Sequence, residues 1–362
     1  MQEVIGSSPI GSTIPMLKHS FYNDYSEGAH PAILALLGQN NQVQEKGYGL
    51  DSCTLKASEL IQKAIGNPEA DLHLVSNGTQ ANLIALASML KPYESVISAQ
   101  TGHINVHETG AVEATGHKIN LVGSSDGKLT VEGIDQIVKS HSHEQMVKPK
   151  VVYISQPTEL GTIYKKAELQ GISDYCRQND LYLYLDGARL GSALMSRESD
   201  LNLQEITQMV DMFYIGGTKN GALLGEAMVI VNPVLKENFR FHLKQRGALL
   251  AKGRTLALQF VALFTDNLYF ELATHANEQA EKITKTMCDL GLKFLTESST
   301  NQIFPILPNA WIEELQKSYG FYFWSKVDSD HSAIRLVTSW ATQDQHVEMF
   351  LEELKKIIGQ RI

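Results

Sequence analysis

The sequence has few cysteines and no cluster of them. Cys53, Cys176 and Cys288 are the three cysteines in 362 residues, they lie far apart, and no Cys-x-x-Cys pair is present. This number and spacing exclude a disulfide framework and a cysteine-based zinc site. The chain suits a reducing compartment, and we predict a cytoplasmic protein.

Long apolar runs and an excess of positive charge are also missing. No apolar stretch reaches the roughly 20 residues that span a bilayer, and the amino terminus lacks a basic segment followed by an apolar core. We therefore expect neither a membrane span nor a secretory signal. The net charge of −9 and the pI of about 5.7 argue against nucleic-acid binding, because neutralising phosphates requires a basic face.

The sequence does contain an alternation of helix and strand patterns. From Pro31 onward, helical spacing alternates with short apolar runs, which is typical of a parallel sheet covered by helices on both faces. After Pro233 the pattern changes to longer amphipathic helices and then to short strands mixed with helices. We predict an amino-terminal arm over residues 1–20, a large domain over residues 21–255 and a small α+β domain over residues 256–362.

One predicted strand leads through a glycine turn into a helix. The strand is residues 71–76 (DLHLVS), and Gly78, Thr79 and Gln80 then stand at the start of the helix. The free backbone amides and the dipole of a helix amino terminus can hold a phosphate. Because many strand–helix turns contain a glycine, an ordinary turn is the alternative at this point.

Two histidines four residues apart raise the question of a metal site. His103 and His107 would share one face of a helix that we predict to run through Thr115. The zinc-protease motif His-Glu-x-x-His is not completed, since Ala111 occupies the second histidine position, and no third ligand is evident. We predict no metal site, and His103 taken alone fits a hydrogen-bonded histidine at a helix start.

A carboxylate follows a strongly apolar strand directly. Residues 181–185 (LYLYL) precede Asp186, so this aspartate is expected to be partly buried. A buried carboxylate needs a cationic or hydrogen-bonding partner, and Arg189 is a candidate for it. A purely structural Asp–Arg pair is the alternative reading.

A second apolar strand leads into a glycine-rich loop with a lysine. Residues 212–215 (MFYI) are followed by Gly216-Gly217-Thr218-Lys219-Asn220-Gly221, which places no bulky side chain beside the lysine. A partly desolvated lysine is the usual nucleophile for forming an imine with a carbonyl. A solvated loop lysine is the alternative, and the residues upstream have to decide between the two.

Together these features match the requirements of pyridoxal 5′-phosphate. The lysine amine would bond to the aldehyde, a helix amino terminus would hold the phosphate, a flat side chain would stack on the ring, and a carboxylate would keep the ring nitrogen protonated. At about 4 Å a carboxylate contributes roughly 4 kcal/mol at an effective dielectric near 20 but about 1 kcal/mol in water. A sheltered aspartate such as Asp186 is therefore required.

The sequence resembles the fold-type I pyridoxal-phosphate enzymes, and among them the low-specificity L-threonine aldolases of the β-eliminating lyase group. The resemblance runs from about Asp24 to Val337. It rests on ordered motifs: Tyr48-Gly49-x-Asp51, Asn77-Gly78-Thr79-Gln80-Ala81-Asn82, His103-x4-Glu108-x-Gly110-Ala111, Thr158-x-x-Gly161-Thr162, Asp186-Gly187-Ala188-Arg189, Lys219, Gly253-Arg254 and Ile334-Arg335-Leu336-Val337-Thr338. It implies an α/β fold with a mainly parallel seven-stranded sheet in the large domain.

The resemblance also implies roles for individual residues. Lys219 would bind the cofactor covalently, Asp186 would face its ring nitrogen, and His103 would stack on its ring. Three further roles are implied for sets of residues. The cofactor phosphate would be bound by Gly78, Thr79 and Gln80. The substrate carboxylate would be bound by Arg189 and Arg335, with Asn23 nearby, and Tyr48 and Arg254 would reach into the active site of the neighbouring subunit. A homodimer or homotetramer with shared active sites follows.

The sequence departs from the family pattern at the candidate base. Many of these aldolases have a histidine where this chain has Glu159, and the lysine lies in Gly-Gly-Thr-Lys-Asn-Gly instead of Ser-Lys-Gly-Leu-Gly. Both features resemble a second branch of the same family. Glu159, His103 or a water molecule could accept the proton of the substrate hydroxyl.

The predicted function is reversible cleavage of L-threonine or L-allo-threonine to glycine and acetaldehyde. The same residues could catalyse β-elimination with release of ammonia, which is the enzymatic alternative. A cofactor-free scaffold of the same fold is an alternative of another class. Nucleotide binding is disfavoured, because Gly216-Gly217-Thr218-Lys219 lacks the Gly-x4-Gly-Lys-Ser/Thr pattern that wraps polyphosphate.

Overall fold

A computed structural model describes residues 17–359 of the chain. The strands are β1 His19–Ser20, β2 Asp71–Val75, β3 Glu94–Ala99, β4 Ile119–Val122, β5 Lys148–Ser155, β6 Tyr182–Asp186, β7 Met212–Gly216, β8 Glu226–Ile230, β9 Lys293–Phe294, β10 Gln302–Ile303, β11 Pro305–Pro308, β12 Tyr319–Gly320, β13 Tyr322–Lys326 and β14 His331–Val337. Most of the predicted amino-terminal arm, residues 1–16, lies outside the described residues.

The helices alternate with these strands over the first two thirds of the chain. They are α1 Pro31–Gln39, α2 Ser52–Ile65, α3 Gly78–Met89, α4 His103–Val106, α5 Val131–Ser140, α6 Lys166–Gln178, α7 Leu190–Leu194, α8 Leu203–Met209, α9 Phe239–Gln245, α10 Arg254–Leu263, α11 Leu268–Asp289, α12 Asn309–Leu315 and α13 Asp344–Gly359, with 3₁₀ turns at Glu113–Thr115 and Pro233–Lys236. Over residues 17–359 no helix is long and apolar enough to cross a bilayer.

A seven-stranded sheet forms the centre of the molecule, in the order β2-β8-β7-β6-β5-β3-β4. The pairs β3–β4, β3–β5, β5–β6 and β6–β7 are parallel, whereas β8 pairs antiparallel with both β7 and β2. The predicted α/β fold with a mainly parallel seven-stranded sheet is therefore confirmed. The carboxyl ends of β2, β3, β5, β6 and β7 meet at one edge, and the amino end of the reversed strand β8 lies at the same edge.

The sheet is buried on both faces because its strands carry apolar side chains in both directions. Leu183, Leu185 and Phe213 pack into one core cluster, whereas Tyr184 and Tyr214 pack into the cluster on the opposite face. Alternation of faces along each strand explains this division. Every residue of β6 and β7 except Tyr182 is buried as a result, so Asp186 at the end of β6 and Lys219 shortly after β7 have a rigid support.

A second, smaller sheet lies in the carboxyl-terminal part of the chain. Its order is β10-β14-β11-β9, β13 pairs with β14, and the helices α11, α12 and α13 contribute to the core beside it. Phe21 is fully buried in that core, and β1 pairs in parallel with β12. Residues 19–21, at the end of the predicted arm, thus pack on the carboxyl-terminal part. The domain limits themselves stay a prediction.

The helix predicted from His103 through Thr115 is wrong. The structure has the four-residue α4, and a separate 3₁₀ turn begins at Glu113. Thr109 and Gly110 have φ angles of 52° and 72°, and a right-handed helix cannot continue through two such residues. The break allows Glu108 to turn back beneath His103, which matters for the site.

Candidate active site

A cavity of about 340 Å³ opens at the edge where the strand ends meet. Its walls are formed by the residues that follow β2, β3, β5, β6 and β7 and by the first residue of β8. The lining residues include eight that the sequence singled out or placed beside them: Gly78, Thr79, His103, Glu159, Asp186, Arg189, Thr218 and Lys219. A larger cavity of about 880 Å³ between α2, α8 and α11 holds none of the predicted site residues.

Asp186 ends β6 at the floor of this cavity and is 4% exposed. Its Oδ1 accepts hydrogen bonds from the Tyr214 hydroxyl at 2.5 Å and from the Ala188 amide at 3.0 Å, and its Oδ2 accepts from the Tyr153 hydroxyl at 2.7 Å and from Asn82 Nδ2 at 3.0 Å. Burial opposes the charge, but the nearby His103 and these side-chain donors outweigh it and lower the pKa of Asp186. The carboxylate is therefore stabilised as an anion.

Arg189 is not the partner of Asp186, contrary to one expectation from the sequence. Its Nε and Nη2 bind Asp24 Oδ2 and Oδ1 at 2.7 and 3.0 Å, and Asn301 Nδ2 donates to the same Asp24 Oδ2 at 2.8 Å. Asp24 is fully buried, so its charge requires this bidentate pairing. The partner comes from 165 residues upstream and therefore could not be read from local spacing.

His103 is held at the cavity by a chain of polar groups. Its Nδ1 lies 2.8 Å from Glu108 Oε1, and Asn82 Nδ2 donates both to that same oxygen at 2.7 Å and to Asp186 Oδ2. The Asn82 amide thus links the histidine support to the aspartate. The backbone amide of His103 donates to Glu159 Oε1 at 2.8 Å. The imidazole is therefore held through Nδ1, and the backbone of the same residue is held through its amide.

Glu159 follows β5 and lies within the cavity wall. Its Oε1 accepts from the Ser155 hydroxyl at 2.7 Å as well as from the His103 amide, and the Ser155 hydroxyl lies 3.2 Å from the Tyr153 hydroxyl. Burial is the main cause that raises the pKa of Glu159 above its ordinary value. A carboxyl with a raised pKa is suited to exchanging protons near neutral pH.

Lys219 lies in the loop between β7 and β8 and reaches the same cavity. Burial lowers the pKa of its amine, the nearby Arg189 lowers it further, and the carboxylates of Asp24 and Asp186 oppose this shift. The Thr218 hydroxyl accepts a hydrogen bond from the Gly225 amide at 3.0 Å, which fixes the loop beside the lysine. The amine is consequently easier to deprotonate than a solvated lysine.

The amino terminus of α3 points into the cavity through Gly78 and Thr79. Asn77 caps the helix by accepting from the Gln80 amide at 2.8 Å, while the amides of Gly78 and Thr79 are the first two of the helix and have no intrahelical acceptor. A Cβ on Gly78 would lie 2.9 Å from the Tyr214 hydroxyl, so glycine is required for this approach. The Gln80 side chain instead binds Ser76 and the Arg246 carbonyl.

Arg335 lies near Arg189 but is held differently. Its guanidinium stacks over the rings of Tyr322 and Trp324, at 4.8 and 5.3 Å from the ring centroids. Its Nε is buried without a hydrogen-bond partner among residues 17–359. Burial, then the charge of Arg189, lowers the pKa of Arg335 to about 10. Arg189 lines the cavity, whereas Arg335 is not among its lining residues.

Comparison with known proteins reveals the family of the chain. The model of the β-eliminating lyase family matches residues 27–309. The chain belongs to the β-eliminating lyase family. This confirms the family that the sequence motifs indicated. A low specificity L-threonine aldolase of Pseudomonas aeruginosa is 32% identical over 345 residues, which cover 94% of this chain and 98% of that protein.

Solved structures extend this result to the fold. A threonine aldolase of Leishmania major superposes on this β-eliminating lyase family member with a TM-score of 0.93 and 48% sequence identity, covering 94% of this chain and 99% of that one. An aspartate aminotransferase of Thermus thermophilus superposes with a TM-score of 0.70 at 12% identity, covering 94% and 92%. The second match concerns the fold alone.

Not every predicted site residue of this family member lies at the cavity. Tyr48 is 45% exposed, has a φ of 62° and packs under Lys244, whose Nζ is 4.8 Å from its ring centroid. Arg254 donates to the Val43 carbonyl near the same surface. Asn23 accepts from the Tyr25 amide at 3.0 Å and the Ser26 hydroxyl at 2.9 Å, so it shapes the turn next to Asp24.

The sequence analysis left several residues of the site without a role. Asp24, Asn82, Glu108 and Glu226 are all buried polar residues within the network or at the cavity. Asn82 and Glu108 belonged to quoted motifs, and a carboxylate opening an apolar strand was the available signal for Glu226. Within residues 17–359 no group of three or more histidine, cysteine or acidic side chains is arranged to hold a metal ion.

Proposed function

We propose that this protein is a pyridoxal 5′-phosphate-dependent aldehyde-lyase that cleaves L-threonine and L-allo-threonine reversibly to glycine and acetaldehyde. One observation carries the proposal: Lys219, Asp186 and His103 line a single cavity beside the free amino terminus of α3. The names of the relatives, low specificity L-threonine aldolase and threonine aldolase, support the same substrates.

The residues around the cavity fit the cofactor chemically. Asp186 is a buried anion that suits a protonated ring nitrogen, Lys219 is an amine that deprotonates readily, and the amides of Gly78 and Thr79 suit a phosphate. We propose that Lys219 binds the cofactor covalently and that the His103 imidazole stacks on its ring. When bound, the cofactor would accept the electron pair left by cleavage of the substrate Cα–Cβ bond.

We propose that Arg189, which lines the cavity, and the neighbouring Arg335 bind the substrate carboxylate together. The stacked guanidinium of Arg335 keeps a donor without a partner among residues 17–359, whereas Arg189 is tied to Asp24 by two hydrogen bonds. Arg189 would then contribute its charge and any remaining donor. Two fixed contacts orient the amino acid, and orientation decides which bond at Cα breaks.

Glu159 is the proposed base for the substrate β-hydroxyl. Its Oε1 is held by Ser155 and by the His103 amide, and the residue lines the cavity. Burial raises the pKa of the carboxyl, which makes its carboxylate a stronger base than that of an exposed glutamate. His103 is the weaker candidate, because its Nδ1 is engaged with Glu108 and its ring is assigned to stacking.

The remaining predicted residues are proposed to act between subunits or to support the site indirectly. Tyr48 and Arg254 lie away from the cavity on the surface of the chain. We propose that they complete the active site of a neighbouring subunit in a homodimer or homotetramer, and that the protein works in the cytoplasm. Gln80 would support the phosphate site indirectly, by holding the helix amino terminus against Ser76 and Arg246.

A product assay tests the reaction against its enzymatic alternative. The purified protein is incubated with L-threonine and, separately, with phenylserine, and glycine, aldehyde and ammonia are measured. We expect equal amounts of glycine and aldehyde. Ammonia and a 2-oxo acid without glycine would identify a β-eliminating lyase and overturn the proposal. A colourless protein that ignores added cofactor would favour the scaffold alternative.

A further inference from the structure

Glu226 is a buried carboxyl at the cavity to which the proposed function assigns no task. It is 5% exposed and lines the same cavity as Lys219 and Asp186. It is also the first residue of β8, the strand that runs against its neighbours, and it pairs with Val75 on one side and Gly216 on the other. Because β8 runs opposite to its neighbours, its first side chain, that of Glu226, lies at the edge of the sheet where the cavity opens.

The carboxyl is connected to the loop that carries Lys219. The Gly217 amide donates a hydrogen bond to Glu226 Oε2 at 2.9 Å. A Cβ on Gly217 would come within 2.7 Å of the Gly225 carbonyl, so the two ends of the loop are in close contact. Glu226 therefore fixes the backbone two residues before Lys219 while its charge acts on the amine.

We propose that Glu226 is the proton partner of Lys219: its carboxylate binds the proton that the lysine ammonium releases when the amine has to be neutral, and returns it afterwards. This rests on the function proposed above, in which Lys219 acts as a nucleophile. One proton leaves Nζ and one is bound by the carboxyl, so no further reactant is needed. Glu226 acts through Lys219 and is a positioning residue.

The charges around the pair favour this exchange. Burial raises the pKa of Glu226 to about 7, while burial and Arg189 lower the pKa of Lys219. When the pKa values of two buried groups are shifted toward each other, the neutral pair costs less free energy than the separated ions. The other titratable or charged groups that act on the pair are Asp24, Asp186 and the phenols Tyr184, Tyr214 and Tyr269.

These surroundings do not replace Glu226 as the proton acceptor. Asp24 is paired with Arg189, and Asp186 accepts four hydrogen bonds and has a lowered pKa. Burial raises the pKa of all three phenols, so they remain neutral donors through the physiological range. Glu159 also lines the cavity and has a raised pKa, but it is held by Ser155 and the His103 amide, whereas Glu226 is bound to the loop of Lys219 through the Gly217 amide.

The test measures the titration of Lys219 in the full-length chain freed of cofactor. The rate at which a brief pulse of acetic anhydride labels the Lys219 peptide is followed by mass spectrometry from pH 5 to pH 11. In the wild type we expect labelling to rise in two steps, because the two groups titrate together. Glu226→Gln keeps an acceptor for the Gly217 amide but cannot exchange a proton.

In Glu226→Gln the profile should collapse to one step with its midpoint lower by about one pH unit or more, since a negative charge within several ångströms is removed. Glu94→Gln is the matched control: Glu94 also opens a strand, is 4% exposed and accepts a backbone amide at 2.9 Å, but it lies outside the cavity lining. Its Lys219 profile should equal the wild type. An unchanged profile in Glu226→Gln would overturn the proposal.

Two further readouts keep the outcomes separate. If Glu226→Gln does not fold, the wild-type profile decides alone, and a single step in the ordinary lysine range near 10.4 would overturn the inference. If the wild type shows no visible absorption band after cofactor is added, the proposed function is contradicted. The labelling result, which is obtained with cofactor-free protein, is not affected. With cofactor bound, Glu226→Gln should lower kcat about tenfold or more while KM stays within about twofold, since Glu226 is not placed in contact with the substrate.

Discussion

At the scale of single residues, two arginines near the site have different surroundings. Arg189 neutralises the buried Asp24 through two hydrogen bonds, whereas Arg335 is stacked between Tyr322 and Trp324 with an unpaired Nε among the described residues. The first arrangement stabilises the folded chain. The second leaves the guanidinium without a carboxylate partner among the described residues, and substrate binding is its proposed role.

Alanine variants of the two arginines should therefore differ: one should mainly lower stability, and the other should mainly weaken substrate binding. Arg189→Ala leaves Asp24 buried without its cation and should lower the free energy of unfolding by about 3–5 kcal/mol. Arg335→Ala should change stability little but raise KM for L-threonine about 10- to 100-fold, the effect of losing a charged hydrogen bond. Urea unfolding and steady-state kinetics check both. Equal losses of stability in the two variants would contradict the assignment.

The proposed base makes a prediction about pH. Glu159 must be deprotonated to accept the hydroxyl proton, and burial raises its pKa, so activity should be full above that pKa and fall as pH decreases through it. Glu159→Gln should lower kcat about 10²- to 10⁴-fold and abolish this acid limb. The pH profiles of kcat for both proteins provide the measurement. An unchanged acid limb in the variant would assign the base elsewhere.

At the scale of elements, sequence patterns predicted the parts that are buried and regular. The apolar runs before Asp186 and Lys219 are strands β6 and β7, and the glycine turn at Gly78 begins α3. Strand β13 was not predicted, although residues 321–324 (FYFW) are a run of aromatic residues that favour strands. The strand is largely exposed, and a bulge between Phe323 and Ser325 interrupts the alternation of its faces. The break after α4 depends on φ angles that spacing does not reveal.

The contacts between elements were the least predictable. The partner of Asp186 was sought nearby at Arg189, but the donors come from α3, β5 and β7, more than 25 residues away in the chain. Asp24 meets Arg189 across 165 residues. Local periodicity carries no information on such pairs, whereas the ordered motifs of the family brought Asp186, His103 and Lys219 together correctly at one cavity.

Strand β2 contains a histidine that should make stability depend on pH. Burial lowers the pKa of His73 to about 4, and its Nε2 is buried without a partner among residues 17–359. The unfolded chain binds the proton more readily below about pH 6.5, so folded stability should fall as pH decreases from 6.5 toward 4. At pH 5 this amounts to about 2 kcal/mol.

His73→Leu removes that titrating group while keeping an apolar side chain against Phe239, whose ring centroid lies 5.0 Å from the imidazole. The variant should lose less stability than the wild type between pH 7 and pH 5. Urea midpoints at the two pH values provide the test. A difference between the two midpoints that matches the wild type would show that His73 titrates normally in the folded protein.

At the scale of the whole molecule, each proposed active site contains residues from more than one chain. Tyr48 and Arg254 lie away from the cavity of their own chain, and Tyr48 is held in a left-handed conformation with its ring exposed. A residue kept in such a conformation at the surface is consistent with a contact to a neighbouring subunit. The proposed shared sites lead to a test that does not depend on the number of subunits.

Mixed oligomers of two inactive variants should regain activity. Lys219→Ala lacks the nucleophile and Arg254→Ala lacks the residue proposed to reach across, so a mixed pair contains one site with neither change. Refolding the two together should recover about a quarter of wild-type activity for random pairing in a dimer. Each variant alone is the control. If mixing does not increase activity, Arg254 acts only in the active site of its own chain or has no role in activity.

The most direct measurement of the central claim locates the cofactor on the chain. The purified protein is loaded with pyridoxal 5′-phosphate, reduced with borohydride and digested, and the peptide that carries the added mass is sequenced by mass spectrometry, with Lys219→Ala treated in parallel. The account predicts that the mass is found on Lys219 and that it is absent from the variant. Labelling of another lysine, or equal labelling of Lys219→Ala, would contradict it.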